Sequence, residues 1–263
     1  MRRIPLLAAL ALTAAAFSAI PASSSPASAS CNASIPTPSW NPSGIWTMAF
    51  DDEFSGTSLD TSLWTPGWFG TGKTGPVNSA ETAAYDSTHV TESGGHLNLL
   101  LTNDNITVGG TTYPNTGALA ETDGKFDYTF GSAESRIFIP AKAAGQLANW
   151  PAWWTDGEGT WPVTGEDDII EGLGGDAAWH FHSTAGGPGG SPSGDWTGWH
   201  TFGSQWSNGN VKWFWDGTQV GSLSTGITSS PMYLILDYTT ESDSPLVLPA
   251  TMKVDWTRVW LPC

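Results

Sequence analysis

Short runs of apolar, aromatic and β-branched residues recur along this chain, and no stretch carries apolar residues at helical spacing for three turns. The clearest runs are Leu97 to Thr102, Met232 to Tyr238 and Met252 to Trp260, and runs of this kind are typical of strands. Asp216-Gly217, between two further runs, is a two-residue hairpin signal. The sequence therefore predicts an all-β fold of two packed sheets.

The first residues have the pattern of an export signal. Two arginines precede an apolar run from Ile4 to Ile20, and Ala27-Ser28-Ala29 supplies the small-x-small pattern of a cleavage site. A membrane anchor is the weaker alternative, because the run is short and interrupted by Pro5 and Pro21. A lipoprotein is another alternative, because Cys31 follows, but the tripeptide lacks the leucine typical of that signal. We expect residues 1–29 to be a signal peptide and the protein to be secreted, extracellular and without a membrane anchor.

The rest of the chain is predicted to be one domain. Residues 30–44 form a short Pro/Ser-rich lead-in, and the domain runs over residues 45–263. Cys31 and Cys263 are the two cysteines, and in an oxidising compartment such a pair predicts one disulfide. Two free thiols are the alternative. If the disulfide forms, the first and last strands must lie side by side, which suits a closed sandwich.

The charge balance excludes one class of partner. The chain has 25 acidic and 9 basic residues and a net charge of −16. Because phosphate binding needs clustered Lys and Arg, we expect no nucleic-acid partner. The hydrophobic fraction of 39% is also too high for a disordered chain.

Chemistry-bearing residues concentrate in Glu166-Asp167-Asp168-Ile169-Ile170-Glu171. A metal site, a solvated acidic turn and a general-acid/nucleophile pair are three possible uses of these acids. Calcium prefers a loop of alternating oxygen ligands, whereas Ile169-Ile170 favours a strand. Tryptophans flank the acids on both sides, and their rings offer apolar faces for sugars and raise a carboxyl pKa by desolvation. Each tryptophan could instead belong to the core, and the solvated turn stays open at this point.

The spacing of these acids resembles glycoside hydrolase family 16, the family of laminarinases, lichenases and agarases. Its Glu-x-Asp-x-x-Glu signature is matched by Glu166, Asp168 and Glu171. Asp167 departs from the family pattern, which has an aliphatic core residue there, and this extra carboxylate could raise the pKa of its neighbour. Further landmarks similar to the family's are Phe50 to Gly56, Asn78 with Glu81 and Tyr85, Glu134 to Arg136, Trp150 to Trp154, and Val254 to Val259.

The resemblance implies a fold and a mechanism. The fold would be a β-jelly-roll sandwich of two antiparallel sheets with a concave substrate cleft. Glu166 would be the nucleophile, Glu171 the general acid/base and Asp168 the assisting acid, in a retaining double displacement. His180 shares a face with His182 on a regular strand, although a core histidine is an equal interpretation. The residues similar to substrate-binding positions are Trp150, Trp154, His182, Asn78, Arg136 and Trp161.

The resemblance also implies a substrate class and no required cofactor. We expect a monomer that acts on a polysaccharide, either a β-1,3-glucan or a mixed β-1,3/1,4-glucan. A galactan such as agar is the alternative substrate, and a non-catalytic, lectin-like carbohydrate-binding module is the alternative function. No cofactor is required, but a structural calcium is possible, since some family members hold one through the residue matching Asp255.

One geometric prediction follows from counting along the acidic strand. Side chains alternate, so Glu166 and Asp168 share a face, whereas a regular Glu171 would point to the opposite one. Two carboxylates on opposite faces cannot flank one glycosidic bond. The sequence therefore predicts a β-bulge between Asp168 and Glu171 that returns Glu171 to the face of Glu166.

Overall fold

The computed structural model describes Cys31 and residues 36–263. The predicted signal peptide, residues 1–29, lies outside this described part, so its prediction stays a prediction. Within the described part, no helix has the length and apolar character needed to span a bilayer.

Strands make up most of the described chain, with a single 3₁₀ turn at Ser87–His89 between β4 and β5. In chain order the strands are β1 (Trp46–Asp52), β2 (Thr65–Pro66), β3 (Lys73–Thr74), β4 (Ala83–Asp86), β5 (Val90–Ser93), β6 (His96–Leu101), β7 (Ile106–Val108), β8 (Thr111–Tyr113), β9 (Asn115–Glu121), β10 (Asp127–Tyr128), β11 (Gly131–Ile139), β12 (Ala141–Ala143), β13 (Gln146–Leu147), β14 (Trp150–Gly157), β15 (Glu166–Leu173), β16 (Asp176–His182), β17 (Gly189–Gly190), β18 (Gly198–Ser207), β19 (Asn210–Trp215), β20 (Thr218–Leu223), β21 (Met232–Thr239) and β22 (Ala250–Pro262).

Two large sheets form the sandwich, as the sequence predicts. The outer sheet has the order β20-β19-β18-β11-β22-β6-β5, with β1 also paired to β22. The cleft sheet has the order β17-β16-β15-β14-β21-β9-β4-β3, with β10 on β21 and β2 on β9. Pairing is antiparallel except between β4 and β9, which run parallel. The chain visits β5 and β6 of the outer sheet between these two strands, and this crossover returns it in the same direction.

The main core fills the space between the sheets. Alternate side chains of each strand point inward, so large aromatics from the two sheets meet there. Trp153 on β14 and Phe181 on β16 come from the cleft sheet, whereas Phe202 on β18 and Trp213 on β19 come from the outer sheet. Burying a side chain of this size contributes about 1.5–3 kcal/mol, so this layer is the main source of the sandwich's stability.

The two ends of the domain lie together. β1 pairs antiparallel with β22, with Trp46 opposite Pro262. Cys31 and Cys263 form a disulfide with their Cα atoms 6.0 Å apart, which confirms the predicted pairing. Closing so long a loop removes chain entropy from the unfolded state and stabilises the fold by about 5 kcal/mol at most.

The predicted hairpin at Asp216-Gly217 is also confirmed. It joins β19 to β20, and both central residues have a positive φ, 46° for Asp216 and 72° for Gly217. A turn with φ above zero at both central residues matches the twist of the strands it connects, which is why Asp-Gly suits this position.

Candidate active site

A cleft of about 600 Å³ lies on the face of the cleft sheet that is turned away from the core. Its floor is formed by β14, β15, β16 and β21, and loops supply the rest of the wall. Of the residues predicted from the sequence, the cleft brings together Asn78, Trp150, Trp154, Trp161, Glu166, Asp168, Glu171 and His182.

The predicted β-bulge is present in β15, between Asp168 and Glu171. On one side, Trp153 pairs with Ile170 and Trp154 with Asp168, so Ile169 has no partner on β14. On the other side the register also shifts between Asp168 and Glu171. The extra residue turns both isoleucines into the core and returns Glu171 to the cleft face. All three signature acids therefore face the same space.

The three acids are crowded and poorly solvated. Asp168 is 6% exposed and Glu171 is 8% exposed. Burial, and then the neighbouring Asp168, raises the pKa of the Glu166 carboxyl, and His182 opposes this shift. Burial, and then Glu171, raises the pKa of Asp168 well above its usual range. Because like charges this close cannot both ionise freely, the protonation of Glu166 depends on that of Asp168.

Two histidines on β16 contact these acids. His180 Nδ1 lies 2.6 Å from Glu171 Oε1. His182 Nε2 lies 3.2 Å from Asp168 Oδ2 and 3.7 Å from Glu166 Oε1. The structure thus decides the question left open for His180, which belongs to the cleft and not to the core. An imidazole beside a carboxylate stabilises its ionised form and orients it.

Asp167 points the opposite way, into the space between the sheets. It is 1% exposed, and it accepts hydrogen bonds from Ser204 Oγ at 2.7 Å and from Trp213 Nε1 at 2.8 Å. Burial raises the pKa of Asp167 to about 7. The residue that departs from the family pattern is therefore supplied with polar partners by β18 and β19 of the outer sheet.

The comparison with protein families agrees with this geometry. A sequence model of the glycosyl hydrolases family 16 matches residues 77–258 of the chain, which is more than half of it. The chain belongs to this family. The match contains the whole of the acidic strand and most of both sheets.

Relatives of this family-16 chain are glucan-cleaving enzymes by name. It is 26% identical over 267 residues to glucan endo-1,3-beta-glucosidase A1 of Niallia circulans, covering 81% of this chain and 37% of the relative. It is 27% identical over 168 residues to the endo-1,3-1,4-beta-glycanase EglC of Rhizobium meliloti (strain 1021), covering 56% and 34%. The chain thus spans about a third of the length of these curated relatives.

A solved structure shows the same architecture. The endo-beta-1,3-glucanase from Pyrococcus furiosus superposes with a TM-score of 0.71 at 25% sequence identity. The superposition covers 83% of this chain and 95% of that one. The jelly-roll expected from the sequence is therefore the fold of this family-16 domain.

Aromatic side chains line the cleft of the family-16 domain at different depths. Trp154 is 6% exposed, and its Nε1 donates a 2.7 Å hydrogen bond to Asp237 Oδ1. Trp161 is 55% exposed and lies near His182, with the ring centroids 6.2 Å apart. Trp68, which the sequence analysis did not single out as a site residue, lies 5.9 Å from the Trp154 ring. An aromatic pair in the glycine-rich stretch 67–70 was the available signal for it.

Two further buried acids line the cleft and were not predicted as site residues. Burial raises the pKa of Glu81 to about 7, although Tyr85 donates a 2.7 Å hydrogen bond to it. Burial, and then Glu81, raises the pKa of Asp237. Their signal in the sequence was weak, since Glu81 stood out only as a landmark and Asp237 lies within the apolar run from Met232 to Tyr238.

Arg136 does not lie in the cleft, which corrects its prediction as a substrate-binding residue. It stands on β11 of the outer sheet, where its Nη1 donates a 2.7 Å hydrogen bond to Asp255 Oδ2 and its guanidinium stacks on Trp199. A sequence pattern does not tell which sheet a strand joins, and this produced the error. His96 Nδ1 lies 3.5 Å from the other carboxylate oxygen of Asp255. With a guanidinium already neutralising it, Asp255 does not fit the expected calcium ligand.

Proposed function

We propose that this family-16 chain is a retaining endo-β-glucanase that cleaves β-1,3- or mixed β-1,3/1,4-glucan by double displacement. The observation that carries the proposal is the bulge in β15, because it gives Glu166, Asp168 and Glu171 one common face inside a cleft. Two carboxyl groups that flank one glycosidic bond are what such a reaction needs. The relatives named above, a glucan endo-1,3-beta-glucosidase and an endo-1,3-1,4-beta-glycanase, support the substrate class.

In the first step, a carboxylate oxygen of Glu166 attacks the anomeric carbon. The bond from that carbon to the glycosidic oxygen breaks, and Glu171 gives its proton to the leaving oxygen. The product is a glycosyl ester of Glu166 and a shortened chain with a free hydroxyl. Burial raises the pKa of both Glu166 and Asp168, and His182 opposes the shift of Glu166 only. With the proton on Asp168, that carboxyl can donate a hydrogen bond to the ionised Glu166 and stabilise its charge.

In the second step, Glu171 acts as a base and takes a proton from water. The water oxygen attacks the anomeric carbon from the opposite side, and the ester bond to Glu166 breaks. His180, 2.6 Å from Glu171, is positioned to hold that carboxyl in one orientation through both steps. Two inversions at one carbon give net retention of the β configuration.

A panel of polysaccharides tests the proposal. Wild type and the Glu166→Gln variant are incubated with laminarin, lichenan, barley glucan, agarose and xyloglucan, and the products are separated by chromatography. We expect oligosaccharides of several lengths from the β-1,3-containing glucans with the wild type only. Products from agarose alone would make the chain a galactanase, and binding without products from any polymer would make it a lectin-like module.

Proton NMR of the first product tests the stereochemistry. A retaining enzyme releases the β anomer first, and the α anomer appears later by mutarotation. An initial α anomer would instead indicate inversion, in which the second carboxylate activates water and does not attack the sugar.

We also propose that the protein is a secreted monomer that loses residues 1–29 on export. The disulfide between Cys31 and Cys263 supports an oxidising compartment, and the basic, apolar and small-residue segments support the cleavage. Protein recovered from the culture medium should begin at Ser30 and contain no free thiol when denatured without reductant. Its mass in solution, measured by light scattering, should be that of one chain.

A further inference from the structure

Four potential metal ligands meet in the cleft. Asp168, Glu171, His180 and His182 each offer one ligand atom, and these four atoms lie within 4.8 Å of one another. Two carboxylate oxygens and two imidazole nitrogens are the donor set that Zn²⁺ and similar divalent transition metals prefer, whereas calcium prefers oxygen alone. In zinc sites the ligand atoms lie about 2.0–2.2 Å from the metal, so two ligand atoms of a tetrahedral site are about 3.4 Å apart. Binding would draw the more distant ligand atoms together and would lengthen the 2.6 Å contact between His180 Nδ1 and Glu171 Oε1.

One oxygen of this cluster points to a missing partner. Asp168 Oδ2 is buried and has no hydrogen-bond partner among the described residues. His182 Nε2 lies 3.2 Å away but is not aligned to donate to it. An unpartnered carboxylate oxygen in a buried site is costly, and a bound cation is one way to satisfy it.

The imidazoles are held by a glycine-rich loop. A Cβ added at Gly189 would lie 1.9 Å from the His180 ring, and one added at Gly187 would lie 2.4 Å from the His182 ring. Only glycine at these two positions leaves room for both rings. Because the rings are already confined, a metal ion would lose little affinity to their ordering.

We propose that these four side chains bind one divalent transition-metal ion of the Zn²⁺ type, and that its binding switches off hydrolysis. The metal site itself rests on the cluster alone, whereas its effect on hydrolysis rests on the proposed function. With Glu171 ligated it has no proton to give, and with Asp168 ligated it does not support Glu166. Zinc would therefore compete with the glucan for the same cleft.

The test begins with chelator-treated protein titrated with ZnCl₂ in a calorimeter, with Co²⁺ absorption as a second readout. We expect one Zn²⁺ per wild-type chain. His180→Gln and His182→Gln should each weaken the affinity at least about tenfold. His200→Gln is the matched control, because His200 also lies beside a carboxylate, 2.7 Å from Asp216, but on the outer sheet. It should bind zinc as the wild type does.

Two further measurements separate this proposal from the proposed function. Glu166→Gln should bind zinc although it hydrolyses nothing. In the wild type, zinc should reduce laminarin hydrolysis at least tenfold, and EDTA should restore it. Absence of zinc binding to wild type, or unchanged binding by both folded histidine variants, would overturn the site. If the chelated wild type hydrolyses no glucan, the proposed function fails while the titration still decides the metal site.

Discussion

Asp167 and Asp168 are neighbours on β15, and both are almost completely buried, yet their surroundings differ. Asp167 faces the core and accepts hydrogen bonds from Ser204 and Trp213 of the opposite sheet. Asp168 faces the cleft, where one of its oxygens has no hydrogen-bond partner among the described residues and other titratable groups crowd it. Burial is similar at the two positions, so burial alone does not distinguish a structural acid from a reactive one.

The difference lies in what each carboxyl meets. The Asp167 carboxyl accepts hydrogen bonds from two donors, which compensate for its burial. Both of its oxygens are therefore engaged in structural contacts. Asp168 meets other acids and imidazoles, which exchange protons and bind ligands. Variants on the two faces should therefore separate activity from stability.

The largest expected effect belongs to the cleft face. Glu166→Gln should remove nearly all turnover, because an amide cannot attack the anomeric carbon. Its free energy of unfolding should not fall, since a neutral amide avoids burying a charge at this position. Laminarin assays and urea denaturation on the same preparation measure both quantities. A large loss of stability would mean that the cleft face of β15 also contributes to the stability of the fold.

Glu171→Gln is the matching variant for the second carboxyl. It should slow hydrolysis about 10²–10⁴-fold, as expected for a lost proton-transfer group. With an activated aryl glycoside, azide should restore turnover and give a β-glycosyl azide. If both Gln variants kept substantial activity, the acid pair would be misassigned.

The next effect concerns a tryptophan that both lines the cleft and is nearly buried. Trp154 lines the cleft but is nearly buried, so Trp154→Ala should lower the unfolding free energy by about 3–5 kcal/mol and also reduce kcat/KM. Trp161→Ala is the control, because that side chain is exposed and its loss should change stability by less than about 0.5 kcal/mol. If Trp161 stacks on a sugar, its loss should raise KM by the equivalent of about 1–3 kcal/mol. Thermal melts and steady-state kinetics distinguish these outcomes.

Asp167, on the core face of β15, should make the stability of the fold depend on pH. In the folded state the pKa of Asp167 is about 7, whereas in the unfolded chain it is near 3.8, so the folded state binds the proton more tightly. The contribution of Asp167 to the free energy of unfolding is fully present below pH 4. It is lost as the pH rises to 7, by an amount on the order of a few kcal/mol.

Asp167→Asn keeps the shape and removes the titration. The difference in unfolding free energy between the variant and the wild type should therefore grow in the variant's favour from pH 4 to pH 8. Turnover at a fixed pH should change little. A difference that stays flat with pH would show that Asp167 is ionised throughout.

The smallest expected effect comes from one partner of that carboxyl. Ser204→Ala removes one donor to Asp167 and should cost about 1 kcal/mol of stability. The kinetic constants should stay at wild-type values, because Ser204 lies on β18 behind the cleft sheet. A changed kcat would mean that the core face influences the acids of the cleft.

Much of this arrangement could be predicted from local sequence. Short runs of apolar, aromatic and β-branched residues predicted the all-β fold. Counting from Glu166 to Glu171 required the bulge, because the register of one strand is a local property. The Asp216-Gly217 hairpin and the cysteine pair were also readable, since a turn type and a lone pair of thiols leave few options.

Other features depend on contacts between distant segments. Ser204 and Trp213, the donors to Asp167, lie 37 and 46 residues after it in the chain. A local sequence pattern therefore does not predict these contacts. Arg136 was wrongly predicted to bind substrate for the same reason, as its partner Asp255 is 119 residues away. His180 could be core or cleft until the bulge in β15 placed Glu171 Oε1 2.6 Å from its Nδ1.

The bond between Cys31 and Cys263 makes the domain a covalent ring. If the chain were pulled at the two cysteines, the force would pass across the sulfur atoms and bypass every strand between them. The sheets would then carry no mechanical load while the bond is intact. A domain built in this way can be held at both cysteines and still keep the shape of its cleft under tension.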